Sequence, residues 1–247
     1  MPQTSYSLDA VAITPTPDFS LLDNPIWNAL STEQRHFAHG DALARRYPAE
    51  IGPLSGLLED AFGAYGALHA LTRSGDAVAL FLESPYSTQR GWKLVRDGRL
   101  DQMICSAPVP IDSMPLPGRA TLRELTAADV PDMVMLAELT EPGPFRTGTS
   151  NLGRFFGIFE RSRLVAMAGQ RLHMPGLREV SAVCTHPDAR GHGYARIVMA
   201  EVMNDIVSRG ELPFLHVFAA NGSAIRVYAA LGFARRRSFE LAVLQSD

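Results

Sequence analysis

Two glycines one residue apart, in Arg190-Gly191-His192-Gly193-Tyr194-Ala195, are the residues of this chain best suited to hold a ligand by backbone alone. They follow an apolar, β-branched run, Glu179-Val180-Ser181-Ala182-Val183-Cys184-Thr185, and lead into a helical pattern. Glycines between a strand and a helix let bare N–H groups converge on one point. The helix start adds unpaired donors and the positive end of its dipole. Such a turn seats a phosphate or pyrophosphate, so a nucleotide-like ligand is expected. A Walker A loop would need Gly-x-x-x-x-Gly-Lys-Ser/Thr, a string the chain lacks. A dinucleotide fingerprint would need a third glycine where Arg196 stands, and would open a βαβ unit instead of coming late in the chain.

A third pattern fits. Arg190-Gly191-His192-Gly193-Tyr194-Ala195 resembles the Arg/Gln-x-x-Gly-x-Gly/Ala loop of the GNAT superfamily of acyl-CoA-dependent N-acyltransferases, with Arg190, Gly191, Gly193 and Ala195 in matching places. The preceding Ala-Val-Cys-Thr-His-Pro-Asp is similar to the family's approach from strand to loop. About thirty residues on, Asn221-Gly-Ser-Ala224-Ile-Arg-Val-Tyr228-Ala-Ala-Leu231-Gly232-Phe233 resembles a second signature, Asn-x-x-Ala-x-x-x-Tyr-x-x-Leu-Gly-Phe. The resemblance spans about 120–245 and is nearest to the glycine N-acyltransferase-like branch, in which a degenerate first half precedes the competent one. It implies a mixed α/β fold of GNAT type and acetyl-CoA as cosubstrate. Val183, Cys184, Thr185, the loop residues Arg190, Gly191, His192, Gly193, Tyr194 and Ala195, and Asn221 and Tyr228 would lie against that cosubstrate.

Acyl transfer from a thioester to an amine needs a neutral amine, a stabilised tetrahedral oxyanion and a protonated leaving thiolate. Period-two alternation puts Glu179, Ser181, Val183 and Thr185 on one strand face. The resemblance makes Glu179 the candidate general base, with partial desolvation raising its pKa. The competing view is a polar residue at the start of a strand beside Arg178. Tyr228 matches the tyrosine that protonates the thiolate in many relatives. With a phenol near pKa 10 and a thiol near 8.5, that transfer is uphill by about 2 kcal/mol. Its bland alternative is a helix residue packed under the sheet. The resemblance further implies an oxyanion donor in the backbone N–H of Val183 or Cys184, and a pantetheine arm paired with a strand edge. Asn221 is also placed to cap the helix that follows it. His186 and His192 are read as positional, and no His/Cys/carboxylate spacing suggests a metal.

The elements that must position these groups are legible in the second half of the chain. Strands are expected at 121–125, 155–159, 164–172, 214–218 and 239–244, with another ending near Thr185. Helices are expected from Thr126, as N-cap, to about Leu139, over 194–208 and over 222–231. In the first half, 31–47 and 54–62 read as helical, and 67–71 with 77–82 as a hairpin around Arg73-Ser74-Gly75-Asp76. That order echoes the front of the second half and is compatible with a degenerate internal repeat. Pro108, Pro110, Pro115 and Pro117 mark a seam, so 1–117 and 118–247 are read as two α/β domains, the second carrying the acyltransferase. The first half has no comparable glycine loop. It is expected to shape the acceptor cleft or to make dimer contacts.

The acceptor side is expected at Glu138, Glu141, Phe145 and Arg146 and at 235–239, a mix suited to a small-molecule amine or an amino acid. Two other functions stay open: acylation of a protein N-terminus or lysine, and a non-catalytic acyl-CoA sensor. Lys and Arg number 23 against 26 Asp and Glu, without long blocks, which gives no reason to expect a nucleic-acid or anionic-membrane partner. Cys105 and Cys184 form no cluster, no apolar run reaches membrane-spanning length, and the first residues lack a secretory pattern. A cytoplasmic enzyme, with a homodimer compatible, is the expectation.

Overall fold

The computed structural model describes residues 17–108, 111–112, 115–118 and 120–247; the expectation about the first residues falls outside this set. In chain order the elements are α1 (Pro25–Ser31), β1 (His39–Gly40), β2 (Ala44–Arg46), β3 (Ser55–Leu57), α2 (Phe62–His69), β4 (Ala77–Leu82), β5 (Trp92–Ile104) and β6 (Thr121–Glu124). Then come α3 (Val130–Thr140), β7 (Phe155–Glu160), β8 (Arg163–Met174), β9 (Leu177–Thr185), α4 (Tyr194–Ser208), β10 (Leu212–Phe218), α5 (Gly222–Ala230) and β11 (Ala234–Ser246). Strands β1, β2 and β3 form a small sheet. The other eight form one large sheet in the order β4-β11-β5-β10-β9-β8-β7-β6. Every neighbouring pair in the large sheet is antiparallel except β9 with β10.

Local chemistry accounts for the second half. Thr126 and Asp129 form a capping box ahead of α3, and Arg123 clamps the same carboxylate at 2.6 and 2.8 Å. Arg161 and Ser162 both take positive φ, as a tight two-residue turn between β7 and β8 requires. Helix α4 buries Ile197, Val198, Val202 and Ile206 against one face of the sheet, with α5 alongside. Residues from the first half, including Leu22, Ile26 and Leu30, cover the other face over Leu172, Leu177 and Phe214, and α3 covers its far part.

The first half departs from its sequence pattern. Within 31–47 the chain leaves α1 at Ser31 and forms β1 and β2, turned at Asp41, whose carboxylate accepts the amides of Leu43 and Ala44. Within 54–62 lies β3, and 67–71 belongs largely to α2, so the hairpin on which an internal repeat would rest is not formed. Strand β5 had no sequence signal, because residues 93–97 are exposed and show no alternation. It lies between β10 and β11, while β4 pairs with the outer side of β11. The large sheet therefore runs through both sides of the proline-rich segment. That segment has no helix or strand among its described residues, and Ile111 is tied to Asn204 of α4 by two hydrogen bonds. Among the described residues no helix is long and apolar enough to cross a membrane.

Gly169 of β8 leaves room for the Phe155 ring: a Cβ there would lie 2.1 Å from Phe155 Cδ1. Gly169→Ala is expected to lower stability by about 1–3 kcal/mol through overpacking, read as a reduced urea midpoint at unchanged m-value; an unchanged midpoint would contradict this packing.

Candidate active site

Strands β9 and β10 pair at only three rungs, Leu212–Leu177, Pro213–Arg178 and Phe214–Glu179. Beyond Phe214, β10 stays bonded to β5 through Phe218–Leu100, while β9 stays bonded to β8 through Thr185–Ala166. The two strands part there, and residues 180–185 keep one backbone edge without a strand partner among the described residues. A bulge accompanies the parting. Ala182 takes φ +52°, and the β8 register steps from Met167–Cys184 to Gly169–Ser181, two residues against three. The extra residue re-aims the local N–H groups and shifts the side-chain period. Ala182 and Cys184 consequently pack beside α3, whereas Val183 joins the α4 side. The expectation that Glu179, Ser181, Val183 and Thr185 share one face is thus corrected at the bulge.

At the far end of β9 the chain enters the glycine loop. Gly191 and Gly193 have φ +85° and +76°, and a Cβ on either would meet no atom within 4 Å. The left-handed backbone calls for glycine, and the space in front of the loop is open. Gly193 caps α4 with no side-chain hydrogen bond, leaving the first helical amides to another acceptor. Tyr194 is turned inward and its hydroxyl donates to Glu160 at 2.6 Å, so it can offer the loop only its main chain. His192 stacks on Tyr194 at 5.6 Å, with Nδ1 3.2 Å from the Ala189 carbonyl. Arg190 is exposed and Ala195 half-buried. His186 accepts the Asp188 amide at 3.2 Å, a positional role.

Across the gap, Tyr228 packs edge-on to Phe233 at 6.4 Å. Burial, with a smaller contribution from the neighbouring Cys184, pushes its phenol up to about 12. Cys184 is buried, and its thiol is pushed up to about 11 by that burial, which makes it inert as a nucleophile. Thr185 Oγ1 is buried without a hydrogen-bond partner among the described residues. Asn221 is the N-cap of α5, its Oδ1 accepting the Ala224 amide at 3.1 Å and the Ser223 hydroxyl at 2.9 Å.

Glu179 is placed differently from its expected role. It is fully buried at the last paired rung, with Arg171 Nε and Nη2 donating to its two oxygens at 2.7 and 2.6 Å. His216 Nδ1 reaches across the parting strands to Oε1 at 2.7 Å. Burial alone would raise this carboxyl, but the Arg171 cation and these hydrogen bonds outweigh it and hold the pKa at about 2. Both of its oxygens are engaged, Oε2 by Arg171 and Oε1 by Arg171 and His216, a placement that does not favour the general-base role. His216 is itself buried, which keeps its pKa below the ordinary value despite Glu179. Its other nitrogen lies 3.1 Å from Gln102 Nε2, a donor only, so His216 is neutral with its proton on Nδ1.

The acceptor-side expectations divide. Glu138 and Glu141 are exposed; Phe145 stacks edge-on to Phe155 at 5.7 Å. Arg146 donates to the Ala49 carbonyl at 2.9 Å, docking its loop on the first half. Arg235, Arg236 and Arg237 pair with Asp101 or Asp23, and Phe239 is buried. Arg171 and His216 escaped the sequence reading, and Ser181 was read only for its strand face, although a lone arginine inside the apolar run 164–174 was a signal for the first.

The site can be set beside known proteins. Residues 155–241 match the model of the family described as FR47-like protein. A GNAT-family protein from Novosphingobium aromaticivorans is 38% identical, with 92% of this chain and 98% of that one covered and a TM-score of 0.83. A GCN5-related N-acetyltransferase from Kribbella flavida is 14% identical over 94% and 96% of the chains, with a TM-score of 0.57. Another from Sphaerobacter thermophilus is 17% identical over 77% and 71%, with a TM-score of 0.52. No curated protein sequence is significantly similar.

A carboxylate whose folded pKa lies below its unfolded value adds stability above about pH 4.5, lost as pH falls toward 2. Glu179→Gln is expected to cost about 3–5 kcal/mol near neutrality by stranding Arg171, and less as the pH drops. Urea unfolding of both proteins at pH 7 and pH 3 checks this; a constant difference would contradict the pairing.

Proposed function

The chain belongs to the GNAT family, and from that premise we propose that it transfers an acetyl group from acetyl-CoA to the primary amine of a small molecule or amino acid. The observation that carries this reading is the parting of β9 from β10 after Glu179, which leaves a strand edge open between the glycine loop and Tyr228. The residues suit the cosubstrate. Positive φ at Gly191 and Gly193 and an uncapped helix start offer main-chain donors to a pyrophosphate. The edge 180–185 offers alternating N–H and C=O groups to an amide-bearing pantetheine arm. The orphaned Thr185 Oγ1 provides a further polar atom between edge and loop.

When bound, acetyl-CoA supplies a thioester carbonyl carbon. The acceptor nitrogen forms the new C–N bond, the C–S bond breaks, the amine gives up a proton and the sulfur takes one. The bulge at Ala182 re-aims the amides of Val183 and Cys184, and a main-chain N–H there would meet the oxyanion. A fixed backbone donor needs no reorganisation as the charge appears. Tyr228, holding its proton up to about 12, is wholly a donor at neutral pH. Full proton transfer to a thiolate of pKa about 8.5 would run uphill by about 5 kcal/mol. Its contribution is accordingly a hydrogen bond to the departing sulfur, with water completing the protonation. Since Glu179 is closed off, the amine reacts in its neutral form after losing its proton to water.

Tyr228→Phe is expected to lower kcat by about 10²-fold or more while acetyl-CoA affinity changes little; equal loss of both would assign Tyr228 to binding. Gly193→Val forces a β-branched residue into positive φ. It is expected to abolish the rise in melting temperature that acetyl-CoA gives the wild type. Thiol release with an amine panel tests the reaction itself, and no stabilisation by CoA or acetyl-CoA would contradict the whole reading.

A further inference from the structure

Beside the bulge, on the sheet face that the first half covers, lies a narrow cleft. Its walls include Phe145, Phe155, Ser181 and Ala182, and Arg171 is its one charged lining residue. The cleft spans about 250 Å³ out to the open surface. Its tight part admits little more than one water, so it takes the end of a ligand and not a whole one. Its roof is the loop 142–149, pinned to the first half by Gly148 N–Glu50 O (2.8 Å), Thr149 Oγ1–Ile51 O (2.7 Å) and Arg146 Nη1–Ala49 O (2.9 Å).

Arg171 is held from one side only. Nε and Nη2 donate to Glu179, whereas Nη1 donates to no described residue, and 12% of the side chain is exposed. A guanidinium fixed by a buried carboxylate loses little freedom on taking a second partner, and its planar fork suits a second carboxylate. Ser181, which lines the same cleft, precedes Val183 by two residues on β9, so the cleft adjoins the strand stretch assigned to the oxyanion. We propose that Arg171 anchors a carboxylate of the acceptor. The acceptor class is then an amine with a carboxylate a few bonds away, of α-amino-acid type. This rests on the acyl-transfer reading above. Because Glu179 already neutralises Arg171, the bound carboxylate shares the cation, and the preference over a neutral analogue is about tenfold in scale and not thousands.

The test compares α-amino acids with their carboxamides by two readouts, the melting temperature in saturating CoA and kcat/KM from thiol release with acetyl-CoA. Acids are expected to raise the melting temperature where amides do not, and to be favoured about tenfold or more in kcat/KM. In the double variant Arg171→Met with Glu179→Gln, which removes both charges, the preference should fall to near one while acetyl-CoA still stabilises the protein. Should that variant fail to fold, Ser181→Asp, placing a competing carboxylate in the cleft, should raise KM for the acids more than for the amides. Thiol release from amides as readily as from acids would overturn the carboxylate anchor and leave acyl transfer standing. Stabilisation by acids alone without thiol release from any amine would support the anchor and defeat acyl transfer. No preference in either readout, or a preference that survives in the variants, overturns the inference.

Discussion

A row of hydrogen-bonded side chains, buried except for the half-buried Arg236, crosses five adjacent strands of the large sheet where β9 and β10 part. Arg171 on β8 holds Glu179 on β9, which accepts from His216 on β10; His216 meets Gln102 on β5, and Gln102 accepts from Arg236 on β11 at 3.1 Å. Gln102 also donates to the Leu22 carbonyl, and Arg236 to the Phe19 carbonyl, so the row ends in the first half of the chain. Backbone pairing between β9 and β10 stops at Glu179. From there the Glu179–His216 bond takes over what the ladder no longer does and fixes how the strands diverge. Buried polar chains of this kind specify one arrangement when every member is satisfied and are costly when one is lost.

The same row ties two halves that look separable in sequence into one sheet. Strand β5 supplies Gln102 and the partner that keeps β10 straight as β9 leaves it. The segment near Glu50 pins the loop above the cleft, and Tyr47, bonded to Gln34 at 2.5 Å, sits beside Arg171. Donor contacts are expected almost wholly from residues after 180, whereas the proposed acceptor cleft is roofed by the loop 142–149, which the first half pins in place.

Much of the glycine loop and its flanking elements was legible because their geometry is local. Gly191 and Gly193, the cap at Asn221 and the runs of β7 to β11 are read from neighbours a few residues apart. Three features were not. The bulge at Ala182 inverted the alternation that had put Val183 with Glu179, and bulges leave no composition signal when the bulged residue is an alanine. The fate of Glu179 depended on Arg171 and His216, which are 8 and 37 residues away. Strand β5 was hidden because residues 93–97 are exposed without alternation, and apart from Trp92 burial begins only at Leu100. Long-range pairing, not local propensity, decided all three.

The central claim, that the open edge of β9 and the glycine loop form one donor site, is tested most directly by deuterium exchange with and without acetyl-CoA. Slower exchange confined to 180–185 and the amides of 191–197, with β6 and β7 unchanged, is the predicted result. Protection that spares 180–185, or that appears only in the first half of the chain, would contradict it.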